Sequence, residues 1–247
     1  MPHSLPWSAR PAHLAITSRE IHVWRACLDC SEILRGRLEA TLAAEEITRA
    51  NRFHFPRDRQ HFVAARGILR QLLADYLQRS PADLEFAYHP RGKPYLVLQP
   101  SEPPIAFNIS HAHGWALLAF SLGRDLGVDV ELIRSDIASE EIASRYFAPR
   151  EVAELQSLPP SARAEGFFLC WTRKEAYIKA VGDGLQISLA SFRVSLVPSQ
   201  PPCLESADSS RWTLRSLSPA PDYVGALVGE GKDWQLHCFD WQPRDGG

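Results

Sequence analysis

The sequence predicts an α+β fold built from two similar halves, residues 1–123 and 124–247, with a site where they meet. Two observations carry this. A long helical pattern followed by short strand-like runs occurs twice, about 100 residues apart, although direct identity between the two copies is poor. The length of 247 residues, 45% of them hydrophobic, suits one large domain or two small ones sharing a core.

The elements follow in order. After a Pro-rich leader, Ile21–Leu28 reads as a strand, and helical sequence starts near Glu32. Asp58, just after Pro56, is the expected N-cap of the next helix. There Phe62, Ala65, Leu69, Leu72, Leu73 and Tyr76 recur at three- and four-residue spacing and give one apolar face. Alternating stretches follow at Leu84–Tyr88, Tyr95–Leu98, Ile105–Ile109, Trp115–Leu122 and Leu126–Ile133, parted by turn formers such as His89–Pro94 and Pro100–Pro104. In the second half Ser161 is the expected cap of a helix running to Val181, with Gly182 just beyond its end. Strand-like runs then occupy Phe192–Val197, Trp212–Leu217, Tyr223–Gly229 and Trp234–Phe239, with a loop expected at Ser199–Ser210.

Composition excludes some classes. A net charge of -2 gives no global signal for nucleic acid or membrane, though a local basic patch is compatible with it. No apolar run approaches the roughly 20 residues that span a bilayer. The start lacks the positive-then-apolar order of a secretory signal, and five cysteines are too few for a disulfide framework, so a cytoplasmic, reduced protein is expected. Cys27 and Cys30 have CxxC spacing without the second half of a zinc site. Neither a G-x-x-x-x-G-K-[ST] loop nor a G-x-G-x-x-G fingerprint occurs.

Four stretches can carry chemistry. In Gly127–Glu131 (GVDVE), Asp129 and Glu131 stand two apart on a strand and project to one side. Carboxylates so placed repel unless a proton or cation intervenes, and a hard divalent ion with oxygen ligands answers that need; an acidic strand face in solvent is the alternative. In Trp171–Lys179 (WTRKEAYIK), Glu175 and Lys179 are i and i+4, which alone reads as a surface ion pair. Ile105–His111 places Asn108, Ser110 and His111 at a strand end, suited to phosphate oxygens or simply polar. A Ser110–His111 nucleophile pair is disfavoured, because no G-x-S-x-G surrounds it and adjacent strand residues point apart. Finally, Arg49–Arg70 holds six arginines and one acid, a face for anions or acidic partners or a solvated basic surface. Arg91-Gly92-Lys93-Pro94 adds two cations on a flexible turn, a plausible phosphate lip.

Together, FNISH (Phe107–His111), GVDVE and WTRKEAYIK closely resemble the three signature blocks of surfactin-type 4′-phosphopantetheinyl transferases. RGKP (91–94), Arg49 before Arg52-Phe53, and RYFAPREVAEL (145–155) also look like family segments, and the resemblance spans residues 45 to 195. It implies a pseudo-twofold α+β monomer. The implied reaction moves 4′-phosphopantetheine from coenzyme A to a serine of an acyl or peptidyl carrier protein and releases 3′,5′-ADP. By the same resemblance Asp129, Glu131 and Glu175 match magnesium ligands, and Ser110 and His111 match contacts to coenzyme A phosphates. Gly92, Lys93 and Pro94 match the stretch holding the adenosine end, Arg49 a cation reaching that end, and Lys179 the lysine facing the pyrophosphate. Glu175 is the favoured base, directly or through a water. The competing readings are a coenzyme A-binding regulatory module without transferase activity and a metal-dependent phosphodiesterase.

Overall fold

The computed structural model describes residues 6–90, 92–137, 139–182 and 187–243. The first half runs β1 (Glu20–Cys27), α1 (Glu32–Glu39), α2 (Ala44–Ala50), α3 (Pro56–Leu77), β2 (Phe86–Tyr88), β3 (Pro94–Leu96), β4 (Ile105–Ala112) and β5 (Trp115–Leu122). The second runs β6 (Leu126–Leu132), α4 (Ser139–Tyr146), α5 (Pro149–Ser157), α6 (Pro160–Val181), β7 (Arg193–Val194), β8 (Leu204–Glu205), β9 (Trp212–Leu217), β10 (Tyr223–Glu230) and β11 (Gln235–Asp240). The predicted α+β class with two similar halves is what the structure has.

The long helices begin alike. Each has proline at its first helical position, Pro56 or Pro160, where the missing N–H has no helical partner to lose. Asp58 and Ser161 are therefore not the caps expected from sequence: the capping positions are Phe55 and Pro159, and Asp58 and Ser161 lie inside the first turn. Each helix also ends on a left-handed residue, Gln78 (φ 53) or Gly182 (φ 77), as expected at Gly182.

α3 lies on the sheet β11-β1-β5-β4, and α6 on the sheet β6-β10-β9. β5 shows the alternation that builds two cores at once. Ala116, Leu118 and Phe120 pack toward α3, whereas Leu117 and Ala119 face a second core shared with β6 and β10. β1 pairs antiparallel with β5 and parallel with β11, so the last strand of the chain completes the first sheet. β4 and β5 join through His113 (φ 46) and Gly114 (φ 93), a two-residue turn with positive φ at both positions that suits the strand twist.

The runs expected at Leu84–Tyr88 and Phe192–Val197 shorten for one reason. Basic side chains of the long helices take their carbonyls: Arg70 takes that of Leu84, Lys174 that of Phe192 and Arg173 that of Ser195. Those oxygens are then committed to side chains rather than to a ladder.

Candidate active site at the seam of the two halves

β6 is the hinge of the site, and its alternation decides what faces where. Leu126, Val128 and Val130 are buried in the core between the sheets. Gly127, Asp129 and Glu131 occupy the other side, toward α6. At Gly127 an added Cβ would fall 2.2 Å from the Ala176 carbonyl oxygen and 2.4 Å from the Ala180 nitrogen. The absent side chain thus lets β6 lie directly against the backbone of α6. That approach brings Asp129 to Lys179, one helical turn beyond Glu175.

Asp129 is the centre of the cluster. Its Oδ1 accepts from Lys179 Nζ (2.6 Å) and from Ser110 Oγ (2.7 Å), and Lys179 also lies 3.1 Å from Ser110 Oγ. Its Oδ2 is buried with no hydrogen-bond partner among the described residues. Burial, then the charge of Asp129, pushes the Glu131 pKa up to about 7, with Glu175 adding to the rise and Arg134 and Lys179 opposing it. Burial and Asp129 likewise raise Glu175, against Lys179. The three carboxylates therefore feel one another, yet among the described residues no three His, Cys, Asp or Glu side chains are gathered closely enough to hold an ion as they stand. An orphaned buried carboxylate oxygen beside two carboxylates of raised pKa is a donor set that fits a hard dication.

The seam between the sheets is closed by a side chain. Asn108 Oδ1 accepts the Val128 N–H at 2.9 Å, so its side chain ties β4 to β6. Ser110 is buried beside it, and His111 opens the other way into a cavity of about 380 Å³ shared with Phe53, His61, His113 and Glu131. Desolvation in that recess, followed by the positive charge of His61, Lys179 and Arg49, lowers the His111 pKa.

Arg49 is exposed, its guanidinium 5.4 Å from the Phe62 ring centre. Gly92 (φ 85) and Pro94 form the turn into β3; Arg91 lies outside the described residues. Lys93 turns inward, donating to the carbonyls of Leu126 (3.2 Å) and Lys179 (2.7 Å), and burial lowers its pKa. It also borders a second cavity of about 430 Å³ with His89, Asp125 and Gly182.

Half of the arginine run, Arg49, Arg52 and Arg57, is exposed, and the other half is at least partly buried. Arg66 and Arg70 are buried and both pair with Glu46, and Arg59 pairs with Glu39. The run of arginines is visible in the sequence, but not Glu46 from α2, which neutralises Arg66 and Arg70, or Glu39 from α1, which pairs with Arg59. Sequence reasoning also missed His61, whose Nε2 lies 2.8 Å from Asp29 Oδ1, 32 positions earlier, where no spacing rule reaches. Gly127 carried a usable signal, a glycine opening an acidic strand.

Known proteins match this chain along most of its length. Residues 125–228 match the family described as 4′-phosphopantetheinyl transferase superfamily, and residues 35–122 the family described as 4′-phosphopantetheinyl transferase, N-terminal. The 4′-phosphopantetheinyl transferase HetI of a Nostoc species is 41% identical over 238 residues, 96% of each chain. The chain belongs to the 4′-phosphopantetheinyl transferase family. This transferase is also 28% identical to the 4′-phosphopantetheinyl transferase Sfp of Bacillus subtilis, over 80% of its own length and 86% of that protein. Among solved structures, a holo-(acyl-carrier-protein) synthase from Bacillus anthracis, in complex with CoA (3′,5′-ADP), matches 43% of the transferase and 94% of that chain, at 22% identity and a TM-score of 0.38. The long helices and carboxylate strand described above fall within the two matched segments.

Proposed function

We propose that this enzyme transfers 4′-phosphopantetheine from coenzyme A to the serine hydroxyl of acyl or peptidyl carrier proteins, with Asp129, Glu131 and Glu175 holding Mg²⁺. The observation that carries the reading is the buried Oδ2 of Asp129, without a partner among the described residues, beside Glu131 and Glu175, whose pKa values burial and Asp129 raise. Bound there, Mg²⁺ would neutralise charge on the pyrophosphate.

The chain's own residues do the rest. Lys179, already on Asp129, adds a positive charge that stabilises the leaving phosphate oxygen. Ser110 and His111, on opposite sides of β4, face the phosphates from the seam and from the cavity. Arg49 supplies the distal cation. Gly92, Lys93 and Pro94 border the adenosine end; there Lys93 exchanges its two backbone carbonyl contacts for phosphate oxygens. Glu175, with its raised pKa, is the first candidate to take the serine proton, directly or through a water. The enzyme acts as a cytoplasmic monomer, since one chain supplies both halves of the seam; no helix among the described residues is long and apolar enough to cross a membrane.

Incubation with a panel of apo carrier proteins, coenzyme A and Mg²⁺, followed by intact mass, tests this. A phosphopantetheinyl mass gain on carrier, with 3′,5′-ADP released only when carrier is present, is expected. Coenzyme A binding without mass gain on any carrier would favour a regulatory binding module, and ADP release without carrier a phosphodiesterase.

A further inference from the structure

The cavity that takes the His111 ring is bordered by the β4–β5 turn, and the first residue of that turn is itself a histidine. His113 (φ 46) and Gly114 (φ 93) both lie in the left-handed region. A two-residue turn of this kind takes Asn, Asp or Gly most readily at its first position, and a histidine there strains the backbone. Both carbonyls of the turn are held, one from each half. Tyr223, on β10, donates its hydroxyl to the His113 carbonyl at 2.6 Å, and the Leu28 N–H bonds the Gly114 carbonyl at 2.7 Å. The Trp115 ring meets Tyr223 edge-on, 6.4 Å between centres. The tip is thus fixed by two elements far from it in sequence.

The ring, unlike the backbone, is uncommitted. No described residue bonds a ring nitrogen of His113, and the side chain lines the cavity with His111, His61, Arg57 and Phe53. Beyond burial, Arg134, Arg57 and His61 lower the His113 pKa against Asp136, and His61, Lys179 and Arg49 lower that of His111 against Asp58. The acids on the wall are Asp58 and Glu131. Both rings therefore stand in a field set mainly by cations, the condition that draws in an anion.

Coenzyme A carries two kinds of phosphate, the pyrophosphate that reacts and a monoester on the ribose. Asp129, Lys179 and Ser110 gather at the seam on one side of β4, where the pyrophosphate belongs. His111 leaves the other side of that strand, and His113 follows two residues on, so the two rings face the cavity together. Resting on the transferase reading above, we propose that His113, held by Tyr223, is a further ligand of coenzyme A that donates a ring N–H to the ribose monoester phosphate. Such a phosphate brings three acceptor oxygens, which leaves sites to fill beyond those met by His111 and Arg49. The contact accounts for a histidine where the turn itself favours Asn or Gly. It lies outside the three signature blocks. Tyr223 is the positioning residue: a side chain of the second half fixes a ring of the first, and a turn fixed in advance avoids the ordering cost of a mobile loop.

The test crosses two proteins with two ligands. Calorimetry measures the affinity of wild type and His113→Asn for coenzyme A and for dephospho-coenzyme A, which lacks the ribose phosphate, with thermal midpoints on the same samples. Asparagine suits the left-handed turn, so the variant keeps the hairpin. Expected is a loss of about tenfold for coenzyme A and of less than about twofold for dephospho-coenzyme A. In transfer to apo carrier most of that loss should appear in the coenzyme A KM rather than in kcat. Tyr223→Phe, which removes only the hydroxyl that holds the turn, should lose about threefold for coenzyme A alone. Equal losses for both ligands, or none, overturn the proposal, as does a change in thermal midpoint alone. If the expected difference is found but wild type modifies no carrier, the transferase reading fails and the His113 contact stands. If wild type transfers and the two ligands respond alike, only the contact falls; a wild type that binds neither ligand ends both.

Discussion

The first and second halves share a frame down to single atoms and differ in what fills it. From Pro56 to Pro160 is a step of 104, and the same step carries Arg70 to Lys174 and Gln78 to Gly182. Arg70 Nη1 donates to the carbonyls of Pro81 and Leu84; Lys174 Nζ donates to those of Leu189 and Phe192, the matching ends of a short 3-10 turn. Each cation pairs with a glutamate, Glu46 or Glu151, that also accepts the N–H at the start of its own short helix, from Ala43 or Ala148. Yet the step takes Glu175 back to Gln71 and Lys179 to Asp75. β1, which flanks β5 as β6 flanks β10, turns Trp24 and Ala26 toward α3 where β6 turns Asp129 and Glu131 toward α6. Trp24 Nε1 there bonds Tyr76 at 3.0 Å, and Asp75 pairs with Arg10. The first half thus keeps the frame without a cluster of carboxylates at this place. In the second half burial, then Asp129, raises the pKa of Glu131 and Glu175, an arrangement that opposes folding with both ionised and points to a ligand rather than to architecture.

Replacing Glu175 by Gln, the residue type of the first half, gives the largest effect. Transfer should fall by about a thousandfold while the thermal midpoint moves little, read by carrier mass gain and melting. Turnover near wild type would break the contrast between the halves. Next, Lys174→Ala leaves Glu151 buried without its cation and should cost about 3–5 kcal/mol in urea unfolding. Arg70→Ala should cost less, because Glu46 keeps Arg66; equal losses would mean that the two frames are not balanced this way. Gly127→Ala should cost about 3 kcal/mol by forcing β6 off α6, with transfer reduced in the folded fraction.

The smallest effect has a sign set by pH. The Glu131 pKa of about 7 exceeds its ordinary 4.5, so its favourable contribution is complete below about pH 4.5 and lost as pH rises through 7. Above that, an ionised Glu131 faces Asp129. In chelator, Glu131→Gln should therefore melt higher than wild type at pH 8, by ~1–2 kcal/mol after discounting for partial solvent access, and together with it at pH 4. A lower melting point at pH 8 would show that Arg134 and Lys179 outweigh the repulsion.

How much of this was legible in the sequence depends on the range of the interaction. Period-two alternation put Asp129 and Glu131 on one side of a strand, and period 3.6 put Glu175 near Lys179; both are local. That β6 delivers the first pair to the second depends on Gly127 against α6, a contact 49 to 53 positions long in sequence, and only the joint spelling of the three blocks signalled it. The duplicated helix-then-strands order was readable, whereas the helix starts shifted because prolines took the first positions from Asp58 and Ser161. Glu46 and the arginines, like Asp29 and His61, meet across loops that no periodicity describes.

The most direct measurement is a Mn²⁺ titration followed by electron paramagnetic resonance, with coenzyme A present, on wild type and Asp129→Asn. Saturable binding by wild type, displaced by Mg²⁺ and lost or weakened at least about tenfold in the variant, is the expected result. Equal affinity in both proteins would contradict the placement of the ion at the seam.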